Sequence, residues 1–229
     1  MAFTITWLGH ASFSMAIDGI AILLDPYLTD NPTAAARAGD VRADYILVSH
    51  GHTDHLGDTV AIARRTGATV ISNAEICRWL GKQGISNTHA QHIGGGFHHE
   101  FGYVKLTIAH HGSILPDGAY GGSPAGFLIT TTGGKVAYFA CDTGLFYEMT
   151  FYGEEGIDVA FLPIGDNYTM GPDDALRAVK MLKPKVAIPM HYSTWEPIRQ
   201  DPEAWSARVR AETTSTPIVL KPGETYTVE

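Results

Sequence analysis

Three imidazoles and a carboxylate fall within six residues, His50-Gly51-His52-Thr53-Asp54-His55, directly after the apolar run Asp44-Tyr45-Ile46-Leu47-Val48. Such a run reads as a strand of the buried kind, so the cluster stands where a strand gives way to a loop. A fold must therefore carry this loop at an edge where several polar groups converge. Crowding imidazoles together is costly as packing, whereas imidazole and carboxylate together suit zinc, iron and similar ions. Alternation lets His50 and His52 share a side, and a turn over 51–54 directs Asp54 and His55 elsewhere, so one segment can feed two adjacent ions.

The rest of the chain reads as many short strands with helices between them. Period-two alternation marks strands over Phe3 to Leu8, Ser12 to Ile17 and Ile20 to Asp25, with a turn at Asp18-Gly19. A helix is expected from Asp58 to Thr66, a strand over Thr69 to Ser72, and a helix from Ala74 to Gln83 with Asn73 as N-cap and Gly84 as its stop. Strands follow at Val104 to Ala109, Gly126 to Thr131, Val136 to Ala140, Asp158 to Pro163 and Lys185 to Met190. Helices are expected from Pro172-Asp173-Asp174, where proline and acids favour initiation, and from Pro202 to Ala211. Closing strands lie near Ile218 and Tyr226. With no linker or repeat, the 229 residues fit one domain, 1–229, of layered sheets with outer helices.

Charge and cysteine usage narrow the function classes. The 16 basic and 24 acidic residues give a net charge of −8, and the lysines are scattered, so no nucleic-acid partner is expected. The two cysteines, Cys77 and Cys141, indicate no disulfide framework. The opening Met1-Ala2-Phe3-Thr4-Ile5-Thr6-Trp7 has no basic region ahead of its apolar residues and alternates like a strand, which argues against a signal peptide. No apolar run approaches the ~20 residues that span a bilayer. The expectation is a cytoplasmic protein with no membrane partner, acting on a small molecule, with homo-oligomerisation left open.

Three further polar groups stand at strand ends, where scaffolds present functional residues. They are His110-His111-Gly112-Ser113, Cys141-Asp142-Thr143 and His191-Tyr192. His-x-His-x-Asp-His followed by a later His, an Asp and a His resembles the metallo-β-lactamase superfamily. Gly9-His10-Ala11-Ser12, Leu24-Asp25-Pro26, the stretch from Pro163 to Pro172, and Pro189-Met190-His191-Tyr192 narrow the resemblance. They are similar to a family of bacterial and archaeal metal-dependent hydrolases related to ascorbate-6-phosphate lactonase. The resemblance runs over essentially the whole chain. It implies an α/β fold, the αββα sandwich of two mixed β-sheets flanked by helices, with the site at one edge.

Carried over residue by residue, the resemblance implies that His50, His52 and His111 bind a first metal, and that Asp54, His55 and His191 bind a second. Asp142 would bridge both. Neighbours on a strand point to opposite faces, and the family pattern places the ligand directly before the glycine, hence His111 rather than His110. His110 departs from the aromatic that relatives carry there, and Cys141 replaces the usual glycine before the bridging aspartate. Cys141 reads as a small buried residue rather than a ligand. Two divalent ions are expected, with zinc as the default and manganese or iron as alternatives because no thiolate ligand is present.

Such a site implies hydrolysis by a metal-bridging hydroxide, and its positive charge favours a small anionic ester, lactone or phosphodiester. Asp54 is the candidate general base. His10 reads equally well as an acid or oxyanion partner and as a histidine hydrogen-bonded at a strand end. Asp25 is expected to orient a metal-ligand loop, and Asn167, Tyr168 and Thr169 to line the pocket. The competing readings are an RNA-processing nuclease of the same superfamily and a non-catalytic metal-binding scaffold.

Overall fold

Alternating apolar and polar residues produce the first strand, β1 (Phe3–Gly9), in which Phe3, Ile5 and Trp7 are buried. It belongs to a computed structural model that describes residues 3–229. Met1 and Ala2 of the expected strand-like opening lie outside the described residues. A tight turn, with Asp18 at φ 50° and Gly19 at φ 90°, joins β2 (Ser12–Ile17) to β3 (Ile20–Leu24). Both turn residues sit in the left-handed region that a two-residue hairpin requires. The buried run becomes β4 (Tyr45–Leu47), followed by β5 (Thr69–Asn73) and β6 (Thr88–Gln91). With β14 (Thr225–Thr227) these form one seven-stranded sheet in the order β14-β1-β2-β3-β4-β5-β6.

The second seven-stranded sheet comprises β7 (Gly96–His99), β8 (Gly102–Ile108), β9 (Ala125–Thr131), β10 (Val136–Phe139), β11 (Val159–Pro163), β12 (Val186–Met190) and β13 (Thr216–Pro217). Its order is β13-β12-β11-β10-β9-β8-β7. Phe13 on β2 bridges the two sheets, with its ring centroid 5.5 Å from Phe139 and 4.7 Å from Phe161. On β3 to β5 alternate residues serve different cores. Leu24, Leu47 and Ile71 face the intersheet core, whereas Leu23, Ile46 and Val70 meet Ile62 of α2 (Thr59–Thr66) and Ile76 and Leu80 of α3 (Ala74–Lys82). On the far side, α5 (Pro172–Leu182) buries Ala175, Leu176, Val179 and Leu182 in the core shared with the second sheet. This is the αββα sandwich of two mixed sheets that the family resemblance implies.

Asn73 caps α3 as expected, accepting a hydrogen bond from the Ile76 amide at 2.9 Å. Asp58 stands ahead of α2 but turns its carboxylate to the amides of Leu28 and Thr29, at 2.9 and 2.8 Å, and so secures the Pro26–Thr29 loop instead. Helix α6 (Pro202–Glu212) matches its expected span to within a residue. The edge strands β6 and β7, and the short helices α1 (Thr53–Leu56) and α4 (Met149–Gly153), do not show in the sequence pattern. No helix among the described residues is long and apolar enough to cross a membrane.

Strand direction positions the site. β2 runs antiparallel to both β1 and β3, and β4 is parallel to β3, so β1, β3 and β4 all end on one side. β9 runs antiparallel to both β8 and β10, and β10, β11 and β12 are parallel, so these four also share a direction. The loops after these strands carry every predicted site residue.

Candidate metal centre

His10 follows β1, Asp25 follows β3, His50 to His55 follow β4, His111 follows β8, Asp142 follows β10 and His191 follows β12. At several strand ends the chain turns abruptly through the left-handed region: His10 has φ 55°, Asp25 43°, Cys141 54° and His191 54°. Such conformations at non-glycine residues cost on the order of 1–3 kcal/mol each, and they concentrate where function fixes the backbone. The φ of Cys141 explains why glycine is the usual residue there. Its side chain is buried, and burial pushes the thiol well above its ordinary pKa, so it remains protonated and offers no thiolate.

The side chains form two groups joined by one carboxylate. His50, His52 and His111 bring a nitrogen each within 4.8 Å of one another, with His50 Nε2 2.9 Å and His111 Nε2 3.3 Å from His52 Nδ1. Asp54, His55 and His191 form the second group, and His10 joins it. Between the groups, Asp142 Oδ2 lies 3.1 Å from His191 Nε2, 3.3 Å from His55 Nε2 and 3.5 Å from His111 Nε2.

A buried network aims two of these imidazoles. Asp25 accepts from the Ser49 amide at 2.7 Å, the Ser49 hydroxyl at 2.5 Å and His55 Nδ1 at 2.8 Å. Because the Ser49 hydroxyl donates to Asp25, its oxygen accepts from His50 Nδ1 at 2.9 Å. The network thus places a proton on Nδ1 of both rings and turns both Nε2 atoms inward, the orientation that metal-bound histidines use. One carboxylate therefore orients a ligand in each group.

These residues fit divalent cations. His55 Nε2, Asp142 Oδ1 and both ring nitrogens of His191 are buried without a hydrogen bond. Unsatisfied groups are rare in protein interiors, and a cation beside Asp142 would satisfy His55 Nε2, the Asp142 carboxylate and the Nε2 of His191, which lies 3.1 Å from Asp142 Oδ2. Nitrogens sharing a tetrahedral zinc ion stand roughly 3.3 Å apart, judging from ordinary zinc–nitrogen bond lengths, close to the separations found here. Burial lowers the pKa of His50, His52 and His111, keeping them in the neutral form that donates a lone pair. Burial would raise Asp142, but His191 and His55 overrule it and hold the carboxylate well below its usual range. Burial would lower His55, but the Asp142 and Asp25 carboxylates overrule it and hold the ring well above its ordinary range, so a metal at Nε2 would displace a proton there.

The comparisons with known proteins show the family and the fold. Residues 21–192 match the family described as "Beta-lactamase superfamily domain". A UPF0173 metal-dependent hydrolase of Carboxydothermus hydrogenoformans is 50% identical over 223 residues, covering 96% of this chain and 97% of that protein. The chain belongs to this metal-dependent hydrolase family of the β-lactamase superfamily. Among solved structures, the metallo hydrolase Igni18 from Ignicoccus hospitalis is 38% identical with a TM-score of 0.91, covering 100% of this chain and 99% of its own. An isothiocyanate hydrolase from Delia radicum gut bacteria shares the fold, with a TM-score of 0.77 at 19% identity over 99% of this chain and 100% of its own.

In this hydrolase the site opens into a cavity of about 390 Å³ lined by His52, Thr53, Asp54, His111, Asp142 and His191 together with three aromatic residues, Tyr27, Tyr168 and Trp195. Of the loop expected to line the pocket, Tyr168 does so, whereas Asn167 and Thr169 do not appear among the lining residues. His10 is wholly buried and lies behind the cavity wall, its ring 4.0 Å from that of His191. His110 turns away and stacks on Phe146, with centroids 5.3 Å apart and planes 7° from parallel. Replacing His111 with alanine is therefore expected to empty the His50/His52 side of metal, while His110→Ala keeps metal content near that of the parent. Elemental analysis of both variants checks this, and the opposite pattern would show that the strand facing is misread.

Sequence reasoning missed Ser49, Thr194, Tyr27 and Trp195. Ser49 and Thr194 are ordinary serine and threonine in sequence. Only the approach of Asp25 to one and of His10 to the other, whose Nδ1 lies 2.7 Å from Thr194 Oγ1, gives them roles.

Proposed function

We propose that the chain hydrolyses a small ester, lactone or phosphodiester of anionic character, using two divalent ions held by His50, His52, Asp54, His55, His111, Asp142 and His191. The observation that carries this reading is the convergence of these side chains from both sheets at one cavity, with His50 and His55 behind the five that line it and buried polar atoms left unsatisfied among them. Two divalent ions held there would supply acidified water at neutral pH and polarise the oxygen under attack. Zinc is the first choice, with manganese or iron as alternatives for this nitrogen and oxygen donor set.

The protein's own groups hold and move the proton. Asp54 is a partly exposed carboxylate lining the cavity, and His10 Nε2 donates to its Oδ2 at 3.2 Å. Burial would raise Asp54, but this hydrogen bond holds it well below its usual range, so it is ionised at neutral pH and able to accept a hydrogen bond from the attacking water and orient it. Burial, reinforced by His191, lowers His10 to about 4, so its ring is neutral at pH 7. A neutral ring donates from one nitrogen only, which makes Thr194 the donor to Nδ1. His10 thus serves as a positioning residue for Asp54, without contact with substrate. Counting the two ions against Asp54, Asp142 and a hydroxide leaves a net charge of about +1, which favours an anion despite the acidic surface.

The test is turnover of a phosphodiester, lactone and thioester panel by chelator-stripped protein as zinc, manganese or iron is returned. Activity should be absent at the start and rise until two equivalents are bound. Activity that survives stripping, or that saturates at one equivalent, contradicts the proposal.

A further inference from the structure

The cavity's remaining walls are aromatic. Tyr27, Tyr168 and Trp195 line it, and no lysine or arginine is among its described lining residues. A site built for a multiply charged substrate ordinarily supplies an arginine fork or a lysine beside the metals. Here any recognition of charge falls to the metal end, and the opposite end offers ring faces.

The rings are arranged as a wall. Tyr27 and Trp195 have centroids 6.3 Å apart with planes at 43°, and Trp195 lies 4.8 Å from the buried ring of His10. The Tyr27 hydroxyl donates to the Asp30 carbonyl at 2.7 Å, so the polar tip is tethered and its ring is left for contact. Tyr168 and Trp195 remain 57% and 37% exposed although both are large aromatics. Each follows strained backbone, Asp166 at φ 60° and Asn167 at φ 51° before Tyr168, and Ser193 at φ 56° before Trp195. Two separate loops thus hold exposed rings over one cavity, each turned there by left-handed backbone that local hydrogen bonds secure, Asp166 N–H to the Met170 carbonyl at 3.0 Å and Ser193 N–H to the Ile198 carbonyl at 2.7 Å.

From this we infer that Tyr27, Tyr168 and Trp195 select substrates bearing a flat apolar group, an aryl ring or its like, beside the bond that is cleaved. The inference rests on the hydrolytic reading above and names the substrate class of the same site. Aromatic walls also receive organic cations, but the ions expected a few ångströms away repel a cationic group. A neutral ring meets no such penalty and gains both area burial and ring–ring contact.

The experiment compares phenylphosphonate with methylphosphonate, which share a headgroup and differ in the ring, by calorimetry on protein reloaded with metal. Phenylphosphonate should bind at least about tenfold more tightly, as burial plus ring contact implies. Trp195→Ala should bring the ratio toward one, and Trp195→Leu, which keeps bulk without a ring, should fall between; elemental analysis confirms that the variants carry metal. Equal affinities, an unchanged ratio in Trp195→Ala, or binding of neither compound by fully loaded protein would overturn the inference. The hydrolytic reading fails separately, if phenylphosphonate binds preferentially yet no ester, lactone or phosphodiester is cleaved.

Discussion

Asp142→Asn is expected to lose the second metal ion and to reduce hydrolysis by several orders of magnitude with the fold intact. Asp142 is buried and within 3.1 to 3.5 Å of His191, His55 and His111, which belong to both halves of the site. A carboxylate shared by two cations offsets their mutual repulsion, which is large at short range in a poorly polarisable interior. Asparagine keeps the shape and removes the charge. Circular dichroism, metal content and turnover measured on one preparation check the prediction. Retention of both ions with near-normal turnover would remove the bridging role and much of the mechanism with it.

The second large effect is expected for Asp25→Asn, at a residue that does not line the cavity. Asp25 accepts from His55 directly and reaches His50 through Ser49. The Ser49 hydroxyl and His55 Nδ1 share Oδ2 while the Ser49 amide takes Oδ1, so the NH2 group of an asparagine would face either both His55 and the Ser49 hydroxyl or the Ser49 amide, with no charge left to hold them. The affected imidazole then loses the partner that fixes its tautomer and its inward lone pair. Removing such outer partners typically lowers metal affinity or activity about 10–100-fold. Competition for metal against a chelator of known affinity measures it, and because Asp25 supports a ligand on each side, both ions should be released more readily. If only one ion were weakened, Asp25 would serve a single half, and if neither were, the network would be incidental to metal binding.

The legible parts of this protein are those in which local sequence and tertiary role coincide. His50 to His55 announce themselves because four ligand candidates share one loop. The strands that carry them are legible because the buried runs around Ile46, Phe139, Phe161 and Ile188 are almost wholly apolar. His111, Asp142 and His191 each stand alone in sequence and gain meaning only when parallel strands bring their ends together. The edge strands are not legible: Thr88–Gln91 and Gly96–His99 are largely polar or exposed, with pairing on one side and little apolar alternation to mark them. The helix Thr53–Leu56 lies inside the ligand motif, where a single turn leaves no periodic pattern. The aromatic wall is half legible, since Tyr168 sits in a loop that reads as pocket-lining, whereas Tyr27 and Trp195 look like ordinary core residues until the loops are folded.

Hydrolysis at this site depends above all on two ions being held together by one set of residues. Elemental analysis of protein prepared without chelator, then supplemented and desalted, measures this directly. The expected result is close to two ions per chain, falling toward one in His111→Ala. Less than one ion per chain after supplementation would contradict the dinuclear site.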